Sequence, residues 1–372
     1  MPKITFYPLG NADCYQLDLA GGEKLLIDFA DVADPYDQED CRIALASTLR
    51  DDLTAAKRTS YDLVAFTHLD DDHIHGSTGF FYLEHAKKYQ DDDRVKIDLL
   101  IVPAAAIVEE ALTGEACVIQ QEARYRLREG KGIRIISRPE KLRGWLAEQN
   151  LTLEDRQDLI TDAGRTIPEF TRSAHGIEFF VHSPFASRDN GELIDRNTDS
   201  IVLQATFVVD EDETKFILGG DVDHEVLTKI VEVTESHQRP ERLEWDIFKL
   251  PHHCSYLSLS SERGEEKTTP VPKVKWLFEQ GRSGGIIIST SKVIPTIDSE
   301  DPQPPHRQAA NYYRERAAAI DGEFKVTMEH PKSTRPEPLV IAIDGSGAMV
   351  EKRNTPSAIY IPSRPAPRAG GI

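Results

Sequence analysis

With 372 residues, 44 Lys+Arg against 63 Asp+Glu, the chain carries a formal net charge of −19. That length supports a full hydrophobic core, as two modest domains or one large domain with an insertion. The charge disfavours passive adhesion to DNA or an anionic membrane, since both need a basic face. Cys14, Cys41, Cys117 and Cys254 are scattered without a Cys-x-x-Cys pair, and no run of about eighteen apolar residues occurs, so a reducing, cytoplasmic setting without membrane association is expected.

In chain order, residues 3–7, 14–19 and 24–29 predict a β-meander with a hairpin turn at Gly21-Gly22, and the third strand delivers Asp28 at its end. Residues 38–58 read as helical. Residues 61–67 read as a buried strand that ends in Thr67-His68-Leu69-Asp70-Asp71-Asp72-His73-Ile74-His75-Gly76. A helix over 77–90 and a strand over 95–103 follow. Residues 104–170 are charged and helical in texture, with a capping-like Thr152-Leu153-Glu154-Asp155, and are taken as a helical insertion or cap. Strand texture resumes at 177–181, 200–208 and 215–218, the last leading into Gly219-Gly220-Asp221. A strand at 245–250 leads into Pro251-His252-His253-Cys254-Ser255, and one at 285–289 into Thr290-Ser291-Lys292. The expected organisation is a core of 1–103 and 171–352, the insertion 104–170, and a Pro/Ser/Arg/Gly-rich, partly disordered tail 353–372.

The loop at 67–76 carries the strongest chemical signal. Imidazoles and carboxylates crowded this closely repel one another or shift their pKa values, whereas one or two divalent cations turn the same crowd into a ligand set. Asp28, Asp221 and His252/His253 also fall at the ends of apolar strands, and ligands converging at one edge of a β-rich core are held rigidly. The bland alternative is a surface turn. It does not explain why the other acidic and imidazole groups recur at strand ends.

The order of strand-end Asp28, then Thr67-His68-x-Asp70-x-Asp72-His73, then Gly219-Gly220-Asp221, then Pro251-His252-His253-x-Ser255 resembles the metallo-β-lactamase-fold hydrolases, an αββα sandwich. More narrowly it is similar to the branch containing the hydrolase domain of the competence protein ComEC. There H-x-D-x-D-H replaces the usual H-x-H-x-D-H, and the later motifs read T-G-D and P-H-H-G-S. Asn197-Thr198-Asp199-Ser200 is similar to that branch's N-x-x-S, and Pro304-Pro305-His306 to its late His-Pro-His. The chain departs at Gly219, where Thr is common, at Cys254 and His75, where Gly is common, and in lacking the third-motif His near 196–199.

The resemblance implies two divalent metal ions, with His68 and Asp70 on the first, Asp72 and His73 on the second, Asp221 bridging both, and His252 or His253 completing the second. It implies Asp28 bracing the loop from behind, with Asn197 near the ligands. His75 is read as a rim or packing side chain beside them. Zn2+ is the default metal, and Asp70 in place of an imidazole makes Mn2+ acceptable. A hydroxide held between the cations by Asp72 and Asp221 would be the nucleophile. His306 would be the general acid, while Ser255, Ser258 and Lys292 would hold phosphate oxygens.

The implied activity is that of a phosphodiesterase or nuclease acting on a nucleotide or other small anionic phosphodiester; the net charge does not favour long nucleic acid. Arg124, Arg126, Arg128, Lys131 and Arg134 form the one convincing basic cluster, most simply a solvated helix face. The competing readings are a lactone or thioester hydrolase, and a non-catalytic ligand-sensing protein on the same fold.

Overall fold

The structure, a computed structural model, describes residues 1–185, 198–297 and 303–351. The expectations for Asn197 and for the tail 353–372 lie outside the described residues. In chain order the strands are β1 (Lys3–Phe6), β2 (Tyr15–Asp18), β3 (Lys24–Ile27), β4 (Ser60–Ala65), β5 (Lys96–Pro103), β6 (Ile133–Ile136), β7 (Ile160–Thr161) and β8 (Ile177–Ser183). They continue with β9 (Val202–Val209), β10 (Asp212–Gly219), β11 (Trp245–Lys249), β12 (Gly281–Ser289), β13 (Glu323–Val326), β14 (Leu339–Asp344) and β15 (Gly347–Val350). The helices are α1 (Leu45–Ala55), α2 (Asp71–Ile74), α3 (Ser77–Phe80), α4 (Ala104–Val108), α5 (Gly114–Glu129), α6 (Glu140–Glu148), α7 (Arg172–His175), α8 (His224–Ser236), α9 (Pro272–Glu279) and α10 (Arg307–Ala318).

Two mixed sheets result. One has nine strands in the order β15-β14-β1-β2-β3-β4-β5-β6-β7, the other six in the order β13-β12-β11-β10-β9-β8. The inner strand segments 25–27, 63–65, 100–102, 216–218 and 286–288 are apolar and buried at every position because both faces of the sheets are covered there. The period of two then sorts the side chains. Leu25, Ile27, Leu63 and Ala65 meet Phe216, Leu218, Ile247, Ile286 and Ile288 between the sheets. Leu26 and Val64 face outward to α1, α4, α5 and α6, while Ile217, Phe248 and Ile287 face outward to α8, α9 and α10. Helix, sheet, sheet and helix stack as a four-layer αββα sandwich, the fold class the resemblance implies. Burying a core side chain of this size contributes about 1.5–3 kcal/mol. No helix among the described residues is long and apolar enough to cross a membrane.

Several expectations change. Residues 104–170 are helical as read, but they also supply β6 and β7, which extend the first sheet in parallel from β5. Their helices bury Ile119, Ala123, Leu127, Leu142 and Leu146 in the same outer core as α1. The helix expected over 77–90 shrinks to α3. Phe80, Phe81 and Leu83 are all buried, and the chain leaves the helix at Phe81, which turns extended to bridge Val95. The helix expected over 38–58 begins only at Leu45, because Asp40 ties back to Asp34 and Arg42 and Asp31 Oδ1 accepts from the Leu45 N–H at 2.9 Å. The hairpin of β14 and β15 had no counterpart in the sequence reading, and β14 pairs antiparallel with β1.

Candidate metal centre

The site forms where β3 and β4 of the first sheet and β10 and β11 of the second end side by side. In the first sheet Asp28 follows β3 with φ 56, a left-handed conformation that a non-glycine residue rarely adopts without compensation. The compensation is direct, because the fully buried carboxylate takes three donors. Asp28 Oδ1 accepts from the Thr67 N–H at 2.7 Å, and Oδ2 accepts from Thr67 Oγ1 at 2.7 Å and from His73 Nδ1 at 2.8 Å. Because Nδ1 of His73 is committed to Asp28, its Nε2 is the atom aimed at Asp221, 3.4 Å from Oδ1. The His68 ring lies tilted against that of His73, with centroids 4.0 Å apart and planes at 52°. Its Nδ1 lies 3.2 Å from Thr67 Oγ1 and 3.4 Å from Ser200 Oγ, and its Nε2 faces Asp70 at 3.6 Å.

The second sheet supplies Asp221 and His253. Gly220 lies so close to the 67–68 loop that a Cβ there would overlap Ser200 Oγ and Thr67 Oγ1 and come within 2.9 Å of His68 Nδ1, so the glycine lets the two sheets meet at this point. Downstream, Asp223 caps α8 by accepting from the Glu225 and Val226 N–H groups, which fixes the exit of the Asp221 turn. After β11, His252, His253 and Cys254 take φ values of 51, 49 and 66, three left-handed residues in a row. Cys254, which stands where the resembling branch has Gly, therefore keeps a glycine-like backbone path. The strained turn is held by the His252 N–H donating to Asp221 Oδ1 at 3.0 Å and by His253 Nδ1 against the Thr290 carbonyl at 2.7 Å. His253 Nε2 is thereby presented 3.1 Å from Asp72 Oδ2 and 3.5 Å from Asp221 Oδ2.

Electrostatics follow from this crowding. Burial and neighbouring His73 push His68 down to about 3, which keeps it a neutral imidazole. Burial opposes the charged form of His73, but Asp28 and Asp221 override it and hold its pKa well above the usual range. His253 is raised against its burial by Asp221 and Asp72. Burial would raise Asp221, yet His253 and His73 hold it well below the usual carboxylate range.

Two groups that sequence reasoning missed lie behind the ligands. Asp13, in the connection from β1 to β2, and Lys249, the last residue of β11, are fully buried and form an ion pair. A lysine between Phe248 and Leu250 of the strand read at 245–250 was the available signal. Ser200 is likewise fully buried against His68, whereas the N-x-x-S similarity had drawn notice to Asn197.

The ligand atoms of Asp72, His73, Asp221 and His253 all lie within 4.8 Å of one another. Of the two candidate histidines after β11, His253 belongs to this group and His252 contributes its backbone N–H. His75 points away, its Nδ1 3.1 Å from Asp71 on the exposed side of α2. The Ser258 hydroxyl donates to the Val222 carbonyl at 3.0 Å, and Ser255 Oγ accepts from the Leu257 N–H at 3.2 Å, so both shape the turn from within the protein. Lys292 lies beside Gly10 and donates its backbone N–H to Asn11 Oδ1. His306 is buried against the 254–256 turn, its Nδ1 3.4 Å from the Tyr256 N–H and its own N–H on the Cys254 carbonyl. The basic cluster is not one solvated face. Arg126 is buried and paired with Glu122, and Arg134 is buried and paired with Glu169.

The residues fit a metal. His68 Nε2 and His73 Nε2 are buried with no hydrogen-bond partner, and an unsatisfied buried polar atom costs about 1–3 kcal/mol. Both face carboxylates, and imidazole nitrogen with carboxylate oxygen suits Zn2+ or Mn2+. Asp72, His73, Asp221 and His253 would surround one cation, and His68 with Asp70 would hold a second beside it.

No protein-family model matches the sequence, and no curated protein is similar enough to match it. Among solved structures the chain is similar to unliganded yeast PDE1, with 11% identity over 88% of this chain and 98% of that one and a TM-score of 0.43. It is also similar to a diphosphatase of the PhnP family, with 9% identity over 92% and 98% and a TM-score of 0.34. A class B3 di-zinc metallo-β-lactamase from an Alaskan soil metagenome matches at 12% identity over 75% and 89%, with a TM-score of 0.30.

Proposed function

We propose that this chain is a metal-dependent hydrolase that holds two divalent cations between its sheets and acts on a phosphodiester of a nucleotide or similar small anion. The observation that carries this reading is the pair of buried, unsatisfied Nε2 atoms of His68 and His73, each with its Nδ1 engaged on the far side of the ring and its Nε2 aimed at carboxylates. When bound, such cations lower the pKa of water towards neutrality and neutralise negative charge developing on the substrate.

The chain's own residues would do the rest. Asp72 and Asp221 lie on opposite sheets and flank His253 Nε2, so they orient whatever enters the gap. Asp28 and the Thr290 carbonyl lock the rings of His73 and His253, which keeps the ligand geometry from relaxing as charge shifts. The role of proton donor to the leaving group is assigned to His306 on the sequence resemblance alone. The phosphodiester preference draws on the oxygen-rich ligand set created by Asp70 and on the resemblance drawn from the sequence.

The test is a metal-supplemented screen of bis-p-nitrophenyl phosphate, lactone and thioester substrates with wild type, Asp72→Ala and Asp221→Ala. Phosphodiester turnover that disappears in both variants, with folding intact by circular dichroism, is expected. Turnover unchanged in either variant, or confined to lactones or thioesters, overturns the assignment.

A further inference from the structure

Lys249 and Asp13 stand apart from the ligands but touch every element that carries them. Along β11 Ile247 faces the inter-sheet core and Phe248 the outer helices. Alternation therefore turns Lys249 into the space between the sheets, directly beneath the metal end. A fully buried ammonium there is tolerable only if it is paired. Its partner is Asp13 of the opposite sheet, and it also donates to the Gly219 carbonyl at 3.0 Å. Asp13 in turn donates its N–H to the Asp72 carbonyl at 2.9 Å. Its two carboxylate oxygens lie 3.9 Å from His73 Nδ1 and 3.8 Å from His253 Nδ1.

The ligand-bearing segments thus divide into a first-sheet half, residues 67–73, and a second-sheet half, Asp221 and His253. Lys249 is bonded to both sides of that division, through Asp13 to the half that carries Asp72 and through the Gly219 carbonyl to the strand end that carries Asp221. Its own strand carries His253.

We infer that the buried Lys249–Asp13 ion pair is a built-in cross-link between the sheets that sets the gap between the two halves of the metal site, which makes both residues positioning residues for metal binding. The inference rests on the metal-hydrolase reading above. A buried ammonium paired with Asp13 and facing Asp221 and Asp28 also supplies one positive charge before any cation arrives, so the half-sites are held at ligand distance from the start.

The test is competition against a chromophoric chelator with Zn2+ and Co2+, on wild type, Lys249→Met, Asp13→Asn, the doubly neutral Asp13→Asn/Lys249→Met, and Glu122→Gln. The last weakens the buried Arg126–Glu122 pair, which bonds to the Ile97 carbonyl away from the ligands, and so reports general loss of stability. Metal affinity is expected to fall by about tenfold to a hundredfold in the Lys249 and Asp13 variants, with a changed Co2+ spectrum, and to stay near wild type in Glu122→Gln. If the single variants do not fold, the double variant decides, since it leaves no unpaired buried charge, and its affinity should still fall. Affinity within twofold of wild type in folded Lys249→Met or in the double variant overturns the cross-link. A fall of the same size in Glu122→Gln overturns it too. Absence of metal binding by wild type overturns the hydrolase reading itself and this inference with it.

Discussion

The two halves of the site hold their ligands by different means. In the first sheet His68, Asp70, Asp72 and His73 follow one strand end, and a single carboxylate, Asp28, fixes the loop through three hydrogen bonds. In the second sheet Asp221 and His253 come from different strands, and His253 stands on three consecutive left-handed residues. One half is braced by a single left-handed residue whose carboxylate takes three donors, the other by a run of three left-handed residues whose strain the Asp221 and Thr290 contacts offset. Hydrogen-bonded placement tolerates change poorly when its acceptor is lost, whereas strained placement can even gain when the strain is relieved.

The largest effect should come from the residue that serves both halves. Asp221→Ala removes the proposed shared ligand and the acceptor of the His252 N–H, and should cost several kcal/mol of transition-state stabilisation, roughly a thousandfold in turnover at saturating metal. Steady-state kinetics retaining a tenth of wild-type turnover would break the shared-ligand account. Next comes the brace. Asp28→Ala leaves three buried donors without an acceptor, for a loss of about 3 kcal/mol or more in denaturant unfolding, together with a tenfold to hundredfold weaker metal affinity.

Proton linkage distinguishes the halves further. His73 and His253 have raised pKa values in the metal-free protein, so the stability they contribute is present below the ordinary histidine range and is lost as pH rises through their raised values. His68 has the opposite sign. Its proton binds the unfolded chain first, so stability is lost as pH falls from the ordinary range towards about 3, by at most about 1.4 kcal/mol per pH unit. Metal uptake near neutral pH should therefore release a proton from His73 but none from His68, a result that titration calorimetry in buffers of different ionisation enthalpy reads directly. A buffer-independent heat would contradict the assignment.

The smallest effect concerns strain. A left-handed backbone costs a non-glycine residue about 1–2 kcal/mol, and Cys254→Gly should recover that at the expense of a buried thiol, leaving the melting temperature within a few degrees of wild type. Cys254→Val should lower it, because a β-branched residue tolerates that conformation least.

The legibility of the site follows the same division. The first half was readable because one strand end carries its candidate ligands in a row, so their crowding alone pointed to a metal. The second half was readable only as an ordered series of polar residues at apolar strand ends. The choice between His252 and His253 depended on backbone angles that a sequence does not display. Lys249 and Asp13 escaped because each is a single charged residue in an otherwise ordinary segment, and their meaning appears only when the sheets meet. For the fold, the meander and the strand-end pattern were legible, whereas β6, β7, β13, β14 and β15 were not. Short strands flanked by charged helices, or paired back to the N-terminal strand, carry little local signal.

The central claim is that His68 and His73 aim buried Nε2 atoms at a cation position. Elemental analysis of wild-type protein purified without chelator, beside a His73→Ala variant, tests it most directly. The account predicts about two transition-metal ions per wild-type chain and a clear loss in the variant, with circular dichroism unchanged. Wild-type protein carrying no transition metal and failing to take up Zn2+ or Mn2+ on titration would contradict it.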